Sequence, residues 1–189
     1  MVASASAASS ALVAAPVTAP IATPAAGDAW SPLESRRQRA GVAGWLLHSA
    51  LSERVGMAPG QPTAEAALQT AAAGAAEFLG RLALLHSLDE ADGWAPDAYR
   101  RLFLEEAVAA WCPGTRVTED GPRLRVVKPG CPLAAACAAD ARVCAMCQVF
   151  HEVVARLMMP GAVERVAFEE LAPQRGRCVI QVVRTATTG

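Results

Sequence analysis

Two stretches of alternating side chains, each turned back on itself, constrain this chain most. TRVTED (115–120) and PRLRVVK (122–128) are separated by Gly121, and Leu124 and Val126 alternate with Arg123 and Arg125. That period of two belongs to a strand with one face covered. Further on, VERVAFEEL (163–171) and CVIQVVRT (178–185) flank APQRGR, whose Pro and Gly suit a turn. Strands that arrive as hairpins pair antiparallel, whereas a parallel sheet needs crossover units. The expected fold class is therefore α+β: N-terminal helices plus a small antiparallel sheet of two hairpins with an intervening Cys-bearing helix.

Helical punctuation fills the rest. Ser31-Pro32-Leu33-Glu34 has the order of a capping box with Pro at the first helical position. It predicts a helix to about Val55, with Trp45, Leu46, Ala50 and Leu51 as its apolar stripe and Arg36, Arg37 and Arg39 on its solvated face. Gly56 and Pro59-Gly60 end it. Thr63 with Glu65 opens a second, alanine-rich helix whose bulky residues are Phe78, Leu79, Leu82, Leu84 and Leu85. Pro96 starts a third, stopped by Cys112-Pro113-Gly114, and a fourth spans about Val143 to Met159. Residues 1–30, rich in Ala, Ser and Pro, read as a disordered tail, and 31–189 as a single α+β domain with a Cys-rich C-terminal half.

Composition removes several function classes. Seventeen basic and 18 acidic residues leave a net charge of −1, which gives no footprint for nucleic acid. No run of 18 strongly apolar residues is present, so no membrane span is expected. The opening segment lacks the basic start of a secretory signal, which points to a cytoplasmic, reducing location. There, clustered cysteines are more often metal-binding or catalytic than disulfide-bonded. Lys128 is the single lysine of the chain, an arginine bias that reads as base composition more than chemistry.

The chemistry-bearing stretch is CPLAAACAADARVCAMCQVFHEVV, with four cysteines and a histidine. At about 100° per residue, Cys144, Cys147 and His151 fall within one sector of roughly 60° and face a common point. Thiolates and imidazole ligate zinc, and Cys131 and Cys178 could close a tetrahedral site from outside the helix. Cys131, Cys144, Cys147 and Cys178 are also enough for an iron–sulfur cluster. Inert packing of small buried thiols is the plain alternative, and the favoured one for Cys137 and Cys112. A third reading is a thiol-dependent enzyme, hydrolase or reductase, in which His151 one turn from Cys147 stabilises its thiolate. Of the adjacent acids Glu169 and Glu170, which could serve as acid, base or ligand, only one can face such a site. His48 and His86 read as helix-surface or satisfied core residues.

From about Cys131 to Thr185 the chain resembles the 4-vinyl-reductase domain family, found in bacteriochlorophyll-synthesis and phenol-sensing proteins. The likeness rests on Cys144 opening a helix, the turn at Pro160-Gly161, the acid-bearing strand VERVAFEE, and Cys178 before VIQVV. The resemblance implies a zinc site beneath a buried aromatic-ligand pocket, with Cys144 and Cys178 matching two of the ligands. Glu170 stands where the family has another cysteine. A weaker similarity is to thiazoline-carboxylate-hydrolase-like domains, which share a pair like Cys131-Pro132. The leading expectation is a metal-binding module, zinc or iron–sulfur, held by Cys131, Cys144, Cys147, Cys178, His151 or Glu170. It would take a small hydrophobic molecule or a tetrapyrrole between sheet and helices. The remaining alternative is a protein-interaction or assembly factor, with a protein partner or a homodimer.

Overall fold

The computed structural model describes residues 32–56, 64–88 and 93–185. The tail at 1–30, the Ser31 cap, the Thr63 helix start with the Glu65 side chain, and the Pro59-Gly60 stop lie outside the described residues.

Both hairpins form. The strands are β1 (Arg116–Asp120), β2 (Arg123–Lys128), β3 (Val163–Glu170) and β4 (Cys178–Arg184), all antiparallel in the order β1-β2-β4-β3. The last strand is thus central, because β2 and β4 join the two hairpins. Their register sets Leu124 opposite Val182, Val126 opposite Ile180 and Lys128 opposite Cys178. Directly opposed residues share a face, and all six are buried. The other face carries exposed charge, with Arg125 Nε 3.5 Å from a Glu169 carboxylate oxygen. The edge strand β1 is largely exposed and charged, which discourages pairing with further strands.

Helices cover the buried face. α1 (Pro32–Gly56) and α2 (Ala64–Leu85) pack together, and α2 also packs against α5 (Ala141–Met158). Asp140 caps α5, accepting the Arg142 backbone N–H at 2.9 Å, and Cys144, Cys147, His151, Val154 and Met158 form its inward stripe. In α1 the buried residues are Ala43, Leu47 and Leu51, spaced by four, while Trp45 is 58% exposed. The expected stripe therefore lies turned from the real one at Trp45, which falls on the solvent side of a face defined every fourth residue.

The third helix departs from expectation. Tyr99–Val108 is a π-helix that continues into the short α3 (Ala109–Trp111). Seven of its ten residues are buried, more than a single α-helical stripe would cover, because it meets α1, α5 and β1 together. Gly44 of α1 makes the closest approach: a Cβ there would lie 2.8 Å from Ala110 Cβ. Between the hairpins the chain forms α4 (Ala134–Ala139) before α5, and the expected turn after β3 is the short α6 (Ala172–Arg175), closed by Gly176 at φ 69°. That positive φ suits glycine. An aromatic chain runs through the core, Phe168 to His151 to Phe103 to Phe78 to Phe150, with ring centroids 5.2–5.9 Å apart.

Candidate functional site

Lys128 is the residue that the sequence reading passed over. It continues the inward register of Leu124 and Val126 by one more step and is 2% exposed. Its Nζ lies 3.4 Å from His151 Nε2, 5.5 Å from the Trp111 ring and 6.0 Å from the Phe168 ring. An ammonium can only donate, so Nε2 accepts and the imidazole proton sits on Nδ1. That Nδ1 is buried without a partner. Among the described residues no carboxylate pairs with Lys128, and the groups that feel its charge are His151 and the thiols of Cys131, Cys147 and Cys178. A buried cation without a counter-charge is costly. Sulfur is the element placed to supply one.

The register brings Cys178 directly across from Lys128. Cys131 follows Lys128 by three residues, past Pro129 and Gly130, and is partly exposed. The loop is held by Cys112, whose thiol donates to the Gly130 carbonyl at 2.8 Å. Cys131 is hydrogen-bonded to Cys178, and Cys178 Sγ also accepts the Ala172 backbone N–H at 3.3 Å. The first charge on this pair belongs to Cys178: the hydrogen bond from Cys131, aided by Lys128 and Ala172, pulls it down to about 6 against the opposing effect of burial. The same bond, with burial, pushes Cys131 up. One proton is shared between two sulfurs, so the first leaves easily and the second does not.

The remaining thiols behave differently. Cys137, on α4, is raised by burial and by a hydrogen bond with Cys144. Burial pushes Cys147 up to about 11, and burial with the Lys128 charge holds His151 well below its ordinary value. A neutral thiol facing a neutral imidazole is not the activated pair that Cys147 and His151 were expected to make.

The expected metal centre is corrected by the same geometry. Among the described residues no three His, Cys, Asp or Glu side chains come together in a way that could hold a metal ion. The sulfurs are engaged in pairs, Cys131 with Cys178 and Cys144 with Cys137, which leaves Cys147 apart. His151 presents Nε2 to Lys128, and an ammonium at that position repels a cation. Glu170 is turned outward to Arg177, with contacts of 2.6 and 2.9 Å. The zinc or iron–sulfur site expected from Cys131, Cys144, Cys147, Cys178, His151 and Glu170 is not formed by these residues.

At the opposite end of the sheet is a cleft of about 630 Å³, walled by Trp94, Pro96, Pro122, Met158, Met159 and Pro160, with Arg184 at its edge. Arg184 is fixed by Glu119 and donates to the Gly121 carbonyl at 2.9 Å. A smaller cleft of about 340 Å³, lined by Leu79, Leu88 and Leu157, shares Trp94. A second polar group lies between α1 and the π-helix: buried Glu106 is 3.4 Å from His86 and 3.7 Å from Arg36.

Fold and site together define an α+β domain with a buried lysine–thiol cluster at one end of its sheet and an apolar cleft at the other. No family model matches the chain, and neither the curated proteins nor the solved structures give a match. Among the described residues no helix is long and apolar enough to cross a membrane.

Proposed function

We propose that this chain is a small-molecule-binding module whose ligand, a small hydrophobic molecule, occupies the cleft at the Trp94 end of the sheet. The observation that carries the reading is the cleft itself. Its volume of about 630 Å³ lies within the ordinary range for ligand pockets, and its walls are one indole, prolines and methionines beside one fixed guanidinium. Methionine adapts to ligands of irregular shape, and Arg184 offers a single polar anchor. The reading agrees with the likeness of the C-terminal third to 4-vinyl-reductase domains, small ligand-binding modules, without their metal. Six free thiols fit a reducing, cytoplasmic setting.

The test is a titration with anilinonaphthalene sulfonate, an aromatic anion whose fluorescence rises in apolar surroundings. Saturable binding at one site is expected, weakened at least tenfold by Ala162→Trp, which fills the cleft. Binding that does not saturate, or that ignores the filled cleft, overturns the proposal.

A further inference from the structure

We propose that Cys131 and Cys178 form a thiol–disulfide exchange site, in which a low-molecular-weight disulfide oxidises the two thiols to an intramolecular bridge. The site is distinct from the ligand cleft and stands on its own observations. Cys178 begins β4 directly opposite Lys128, its sulfur accepts the Ala172 N–H at 3.3 Å, and Cys131 is hydrogen-bonded to it. Cys178 is 5% exposed, whereas Cys131 is partly open to solvent on a Pro-Gly loop outside the sheet. Access and charge are thereby divided between two sulfurs in contact.

Exchange needs a thiolate, a reachable sulfur and a second thiol close behind. The shared proton lets the negative charge pass to Cys131, the sulfur that an incoming disulfide reaches. Cys131 attacks one sulfur of RSSR, the S–S bond breaks, and RS⁻ leaves with a proton from the medium. Cys178 then gives up its proton and attacks the Cys131 sulfur of the mixed disulfide, forming the Cys131–Cys178 bond and expelling the second RS⁻. Two protein thiols are oxidised, one disulfide is reduced to two thiols, and the two protons balance. Lys128 stabilises the anion at both stages. The loop at Pro129-Gly130 lies outside any strand or helix and can close the sulfurs to bonding distance without disturbing the ladder.

The alternative bridge within the cluster is Cys137–Cys144, which also touch. Both of those are buried, so a disulfide in solution has no sulfur to reach first.

The experiment treats the full chain with oxidised glutathione and maps bridges by peptide mass spectrometry, with the free thiols counted alongside. The expected result is a fall from six free thiols to four, with Cys131 and Cys178 in one bridged peptide pair that dithiothreitol releases. Cys178→Ser is expected to stop halfway, with one glutathione trapped on Cys131; Cys131→Ser is expected to react at least tenfold more slowly and to form no bridge. A first bridge between Cys137 and Cys144, glutathione added to other cysteines, or six thiols left intact would each overturn the proposal. The mapping of the unsubstituted chain decides the matter even if a variant fails to fold.

Discussion

Lys128 sets the chemistry around it because its ammonium has an imidazole nitrogen, two ring faces and sulfur to lean on. Replacing it by Met keeps the length and removes the charge. Lys128→Met is expected to slow iodoacetamide modification of Cys131 and Cys178 at pH 7 about tenfold, as a one-unit rise in the pair's first ionisation implies. The rate profile with pH should shift upward by about the same amount; an unchanged profile would show that the hydrogen bond alone holds the anion. His151 gives a second prediction. It is fully buried and its pKa is held low by burial and then by Lys128, so the unfolded chain binds its proton more readily than the folded one. The stability it contributes is complete above about pH 6.5 and is lost as the pH falls below that, by about 1.4 kcal/mol per unit. His86, also lowered by burial, acts in the same direction. Urea unfolding at pH 7.5 and 5.5 should show the loss, and His151→Gln, which retains an acceptor for Lys128, should reduce its slope.

At the scale of elements, two glycines of α1 make a matched pair. Gly44 backs onto Ala110, where a Cβ would lie 2.8 Å from the Ala110 Cβ and 3.1 Å from backbone atoms, while a Cβ on Gly41 would meet nothing within 4 Å. Gly41→Ala should stabilise by up to about 1 kcal/mol through helix propensity. Gly44→Ala should destabilise by roughly 1–3 kcal/mol, since α1 must move off α3; thermal melts of the two variants check the opposite signs. How much of this was legible in the sequence follows from the range of each signal. Both hairpins could be read because strand alternation and turn residues are local, and the inward position of Lys128 was readable from Leu124 and Val126. Its consequence was not, since it depends on β2 pairing with β4, a long-range choice that no local pattern encodes. The π-helix was missed for a similar reason: PDAYRRLFLEEAVAAW has the composition of an ordinary helix, and the widened turn answers to burial on several sides. The convergence of Cys144, Cys147 and His151 on one face was correct as helix geometry, but which partners meet that face was decided by Lys128, Cys137 and Cys178.

At the scale of the molecule, β4 joins both sites. It runs seven residues from Cys178 at the thiol end to Arg184 at the cleft end, roughly 20 Å at the usual rise per residue. Between those ends Ile180 and Val182 are fully buried in one apolar cluster that also contains Leu47 of α1, Phe78 and Leu82 of α2, Phe103 of the π-helix and Phe150 of α5. A core shared so widely should unfold as a unit. The chain carries its own reporters, for all four tryptophans precede β1 in sequence, and Trp111 is buried against the lysine. If helices and sheet share one cooperative core, Ile180→Ala, a truncation in the last strand, must weaken tryptophans that lie far from it in the chain. The expected cost is about 2–5 kcal/mol, the range for removing a buried aliphatic side chain. The urea midpoints from tryptophan fluorescence and from far-ultraviolet circular dichroism should coincide in the unsubstituted chain and fall together in the variant. A fluorescence midpoint that stays put while the circular dichroism midpoint falls would mean that the helical layer stands without the sheet, and the aromatic chain through Phe103 and His151 would then be a contact between two separately stable parts.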